Sequence, residues 1–161
     1  MASSLELRAE VVDGHFLQVL LVPHGSVPIV TTGRMTLGCY LEIDVVDTSG
    51  NRIGHIGPMA SCPPPRFSEF RAFRPDDPRE PGGADVVGAR FDLLAAERVR
   101  VGPHEQGLLP GQEYRFVARY HADDASILSE RQKGILRGRY GAFWSGDIEL
   151  ESAPVIFRYT K

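Results

Sequence analysis

Leu108-Leu109-Pro110-Gly111-Gln112-Glu113-Tyr114-Arg115-Phe116-Val117-Ala118-Arg119-Tyr120 decides the fold. Pro110-Gly111 marks a turn, because proline presets φ and glycine tolerates φ > 0. Polarity then alternates. Tyr114, Phe116, Ala118 and Tyr120 share one face of a strand, and Arg115, Val117 and Arg119 share the other. A tyrosine four residues after the proline of such a turn stands where two-sheet folds anchor a corner of the chain.

Working outward, the same period recurs. In residues 5–12, Leu5, Leu7, Ala9 and Val11 oppose Glu6, Arg8 and Glu10, which predicts a half-buried strand. Asp13-Gly14 turns the chain into an apolar strand over 15–22, which Pro23-His24-Gly25-Ser26 should break. Residues 27–32 predict a short strand, placed at an edge by Pro28. Leu37, Cys39, Leu41, Ile43 and Val45 share a face over 36–46. The turn Asp47-Thr48-Ser49-Gly50-Asn51 then returns 52–56 as a hairpin partner. Phe67, Phe70 and Phe73 read as core aromatics, on a helical turn or on a turn and a strand. Residues 86–94, 98–101 and 153–159 complete the strand set. Residues 74–83, with three prolines and two glycines, predict an exposed loop. Residues 121–140 predict a long polar insertion, with a helical turn or two within 127–136. The expectation is all-β: an antiparallel β-sandwich of seven to nine strands with long loops, forming one domain over 1–161.

Composition fits a globular chain. It has 161 residues, 42% hydrophobic and 24% charged, with net charge −3. No basic block invites nucleic acid or an anionic membrane, so neither is an expected partner. Arginine outnumbers lysine 16 to 2 and Asn51 is the only asparagine; the expectation from this bias is a GC-rich, bacterial genome. The first eight residues lack the basic and apolar regions of a signal peptide, and no apolar run approaches a spanning length. Both points lead to the expectation of a cytoplasmic protein. Cys39 and Cys62 are too few for a disulfide framework. Two free thiols are expected, with Cys39 packed as a small hydrophobe and a Cys39–Cys62 bridge as the alternative.

No residue pattern names a reaction. The histidines His15, His24, His55, His104 and His121 form no His-x-x-x-His pair. His121-Ala122-Asp123-Asp124 could offer a metal one imidazole and two carboxylates, but the start of a polar loop is the reading taken. Asp44 and Asp47 lack calcium-loop spacing. Gly134–Gly141 holds three glycines among basic residues without the strand–helix setting of a phosphate cradle. No catalytic residue, metal or cofactor is assigned, and a non-enzyme is expected. Arg139, Tyr140, Phe143 and Trp144 form the one exposed-looking aromatic and cationic cluster. These types are enriched where proteins bind each other, and a large aromatic can also simply close the end of a core.

One resemblance follows from Asp44–Ile53, Gly57-Pro58, Phe91-Asp92-Leu93, Leu109–Tyr114, Trp144-Ser145-Gly146 and Ser152–Val155. Taken in order, they resemble the immunoglobulin-like domain beside the catalytic domain of bacterial deuterolysin-type and peptidyl-Lys metallopeptidases. They are more loosely similar to intracellular proteinase-inhibitor sandwiches. The resemblance implies an immunoglobulin-like sandwich and a link to proteases. It carries no catalytic residue over, since His-Glu-x-x-His is absent. The leading expectation is a non-catalytic module that binds an unidentified protein through loops 57–85 and 121–146. A protease inhibitor or protease-associated domain is the first alternative. A metal- or small-ligand-binding protein using His121 and Asp123 is the second.

Overall fold

The computed structural model describes residues 4–25, 27–58, 61–73, 87–95 and 99–160. Two antiparallel sheets face each other across one apolar core. The first holds β1 (Ser4–Val12), β2 (Phe16–His24) and β8 (Val87–Asp92), in the order β1-β2-β8. The second runs β11 (Ile148–Glu151), β10 (Glu113–Ala122), β5 (Tyr40–Val46), β6 (Arg52–Ile56), β9 (Val99–Val101). In addition, β12 (Val155–Arg158) pairs with β10, and β4 (Thr36–Leu37) pairs with β5. The remaining strands, β3 (Ile29–Thr31) and β7 (Arg71–Phe73), form a separate two-stranded pair. Among the described residues the twelve strands exceed the seven to nine expected. The surplus lies in pieces of two to four residues, too short for alternation to register.

The opening stretch holds the fold as expected. Leu109 N–H donates to the Tyr114 hydroxyl at 2.8 Å, which ties the turn to its strand. Tyr114, Phe116, Ala118 and Tyr120 are all buried. They meet Leu17, Val19 and Leu21 of β2 and Leu41, Ile43 and Val45 of β5 within one cluster. β10 is paired on both sides: with β5 from Arg115↔Val46 to Tyr120↔Leu41, and with β11 and β12 in succession. Between those two partners the chain bends at Ser152-Ala153-Pro154. Buried Ser152 mends the break: its Oγ accepts 3.0 Å from Ala118 N–H and its N–H donates 2.8 Å to Ala118 O. β11 itself was missed by sequence reasoning.

Two other expectations shift in detail. β2 continues through Pro23 to His24. Pairing with β8 ends at Leu21↔Val87, so at Pro23 one side of the strand has no described ladder to break. Leu37, Cys39, Leu41, Ile43 and Val45 are all buried, but not as one strand. The chain loops at 38–40, with Tyr40 at φ 77°, and β4 lies parallel to β5. After β5, the Asp47 carboxylate accepts from Ser49 N–H and Asn51 N–H, both 2.9 Å, and closes the predicted hairpin turn. Beyond it Gly54 is required, because a Cβ there would run into the backbone carbonyl of Arg100 on β9.

Residues 121–146 are not a long loop. After β10 comes a helical turn at Asp124–Ile127, then the helix α1 (Glu130–Tyr140). Ser129 and Gln132 form a reciprocal capping box, with Gln132 N–H to Ser129 Oγ at 3.1 Å and Ser129 N–H to Gln132 Oε1 at 3.0 Å. The helix ends at Gly141, which takes φ 76°. Leu136 is its one fully buried residue. It packs with Val30, Phe70, Ala72 and Leu128 in a second, smaller core, bordered by Phe67, Tyr140 and Phe143. Of the two alternatives for the phenylalanine triplet, the chain takes the turn and strand: Phe67 lies in the helical turn Phe67–Glu69 and is partly buried, while Phe70 and Phe73 are buried.

Cys39 and Cys62 are joined in a disulfide with Cα atoms 5.3 Å apart, which corrects the expectation of two free thiols. Cys39 is buried as expected. What sequence could not show is that the proline run 63–65 returns to the β4–β5 loop. Arg34 holds it there: its Nη1 donates 2.6 Å to Pro63 O, while Nε and Nη2 donate 2.9 and 2.7 Å to Glu69 Oε2. Those bonds from Arg34, then the Arg66 N–H, hold the Glu69 carboxyl below its ordinary value. The predicted loop 74–83 lies outside the described residues. No helix among the described residues is long and apolar enough to cross a membrane.

Candidate functional site

The chain after α1 is laid against β3 by its backbone. Val30 N–H donates to Trp144 O and Trp144 N–H donates to Pro28 O, each at 2.9 Å. The indole then rests over Gly146: a Cβ at that glycine would stand 3.1 Å from Trp144 Cζ2. The backbone of Trp144 is thus tied down while 41% of the residue's surface stays exposed. Its ring borders a cleft of about 210 Å³ between the N-terminal end of β1 and the start of β11. Leu5, Ile29, Ile148 and Leu150 supply the apolar lining, and Asp147 and Glu149 stand at its border.

The four residues expected to form a binding cluster divide into two pairs. Tyr140 and Phe143 are partly buried and pack against the second core, so their first role is structural. The guanidinium of Arg137 lies over Phe143, 5.9 Å from the ring centroid. Arg139 lies at the same distance from Tyr140. Arg139 and Trp144 remain exposed. Sequence reasoning missed Asp147, Glu149 and the wall across the cleft, Leu5 and Ile29. Ile148-Glu149-Leu150-Glu151 alternates, and that short pattern was the available signal.

Next to this cleft, and sharing Glu149 and Leu150 with it, a shallow groove of about 550 Å³ crosses β5, β10 and β11. Its carboxylates are Glu42, Asp123, Glu149 and Glu151, and its cationic groups are Arg119 and His121. Arg119 is already engaged. Nη1 donates 2.6 Å to Asp44 Oδ2 and Nε 3.3 Å to Glu151 Oε2. Asp44 is buried and also receives Arg52 Nε at 3.0 Å. The groove is therefore electronegative. His121 and Asp123 of the conceivable metal pattern both line it, with His121 opposite Glu149 in register. Among the described residues no group of three metal-ligating side chains converges. The glycine-rich segment is no cradle either, since α1 runs through Gly134 and Gly138.

No protein-family model, no curated protein and no solved structure matches this chain.

Proposed function

We propose that the chain is a non-catalytic β-sandwich that binds another protein, with the contact centred on Trp144. The observation carrying this reading is an exposed indole on a backbone that two hydrogen bonds tie to the strand region 28–30. Two backbone hydrogen bonds fix Trp144 to β3, and Gly146 lies under the ring. Rigid aromatics lose little entropy on binding, which suits them to interface centres. The adjoining cleft is smaller than the roughly 300–1,000 Å³ of sites for drug-sized ligands, and favours a side chain over a free metabolite. The order β1-β2-β8 against β11/β12-β10-β5-β6, with the Tyr114 corner, supports the immunoglobulin-like reading. The disulfide favours an oxidising compartment over the cytoplasm expected from the N-terminal sequence.

The test is affinity capture from native extract, comparing wild type with a folded Trp144→Ala variant. A protein retained by wild type and reduced at least tenfold with the variant supports the reading. Equal retention by both, or no recurrent protein, removes it.

A further inference from the structure

We propose that the partner presents a basic, extended segment, and that one of its lysine or arginine side chains enters the Trp144 cleft. This rests on the docking role proposed above and names the chemistry it would recognise. Three observations carry it. First, Asp147 and Glu149 are among the residues that line the cleft beside Trp144, which is 41% exposed. A cation over an indole face is attracted by the ring quadrupole, and most strongly where carboxylates complete its neutralisation. Second, no ion pair holds either carboxylate among the described residues, whereas Glu151 and Asp44 nearby are paired with arginines. Third, the negative surface continues from the cleft along β11 into the groove of Glu42, Glu149 and Glu151. One buried cation therefore has a track on which flanking basic residues can lie.

The volume sets the scale of the occupant. About 210 Å³ accommodates one long side chain, not a folded surface. The approach is set by topology. β11 is the outermost strand of its sheet, paired only with β10 among the described residues. An extended segment can lie along that edge and place alternate side chains toward the cleft.

Trp144 is the chain's single tryptophan, so its emission reads the cleft directly. The probe is an acetylated, amidated (Gly-Arg)4 peptide, titrated with a (Gly-Glu)4 peptide as control. Binding of the arginine peptide should shift Trp144 emission saturably, and should weaken steeply with added salt. Asp147→Asn combined with Glu149→Gln should weaken it about tenfold with unchanged urea unfolding, and Glu149→Gln alone should weaken it less. Glu130→Gln, on the exposed start of α1, should leave it unaltered. No emission change at millimolar arginine peptide, an equal response to the glutamate peptide, or equal binding by the double variant overturns the proposal. A change that follows protein concentration without peptide also overturns it, in favour of a second copy as occupant. If native-extract capture still depends on Trp144 while these titrations fail, the docking role survives and the cationic ligand falls.

Discussion

At the scale of single residues, Tyr114 shows how far a local pattern reaches. Its face follows from alternation, and its hydroxyl lies where the preceding turn can use it. Removing only that oxygen with Tyr114→Phe leaves the ring buried and Leu109 N–H without its acceptor. The expected loss is about 1 kcal/mol in urea unfolding. A loss near zero would mean that solvent replaces the bond in full. Other residues were illegible for a physical reason: their state depends on distant chain. Tyr40 is the local exception, its positive φ arising in the tight loop that folds β4 beside β5. The pairing of Cys39 with Cys62 depends on where Arg34 holds the proline run. Trp144 was singled out by residue type, but the wall it faces is built from Leu5 and Ile29, far upstream.

At the scale of elements, α1 was underestimated because its signals lie at its ends and not along a stripe. Leu136 is its only buried side chain, so there is almost no apolar period to detect. The capping box at Ser129 and the glycine at 141 do mark its limits. Its stability should accordingly hang on few contacts. Leu136→Ala is expected to cost about 2–5 kcal/mol within the second core. Hydrogen exchange should then rise in α1 and β7 and stay low in β10. Uniform acceleration across β10 as well would show that the two cores unfold as one. The long sandwich strands were legible because one face of each is apolar and buried while the other carries polar residues such as Glu6, Glu42 and Arg119. β11 was not, since four alternating residues beside a proline bend carry too little pattern.

For the whole molecule, two predictions concern solution conditions. The disulfide spans a sequence separation of 23, and removing it with Cys62→Ser should lower stability by about 3 kcal/mol on the loop-entropy model. An unaltered denaturation midpoint would contradict that. Acid should also destabilise the fold. Glu69 is held low chiefly by Arg34, Glu6 by Arg8 and then His24, and Asp92 by Leu94 N–H and then His15. The folded state therefore binds these protons less readily than the unfolded chain. Their contribution is complete above the ordinary carboxylate values and is lost as pH falls through the lowered ones. Stability should drop below about pH 4.5, and Glu69→Gln should flatten that drop. An unchanged profile would remove Glu69 from the explanation. The all-β sandwich was readable from period and turns alone. The candidate site was readable only in part, because it is assembled where β1, β3 and β11 meet at the seam between sheets. Trp144 is the proposed point of contact. The most direct measurement is the fluorine NMR spectrum of protein labelled with 5-fluorotryptophan, which carries one resonance because the chain has one tryptophan. Adding the captured partner should shift or broaden that resonance in a saturable manner. A resonance that does not move while the partner is demonstrably bound would contradict the account.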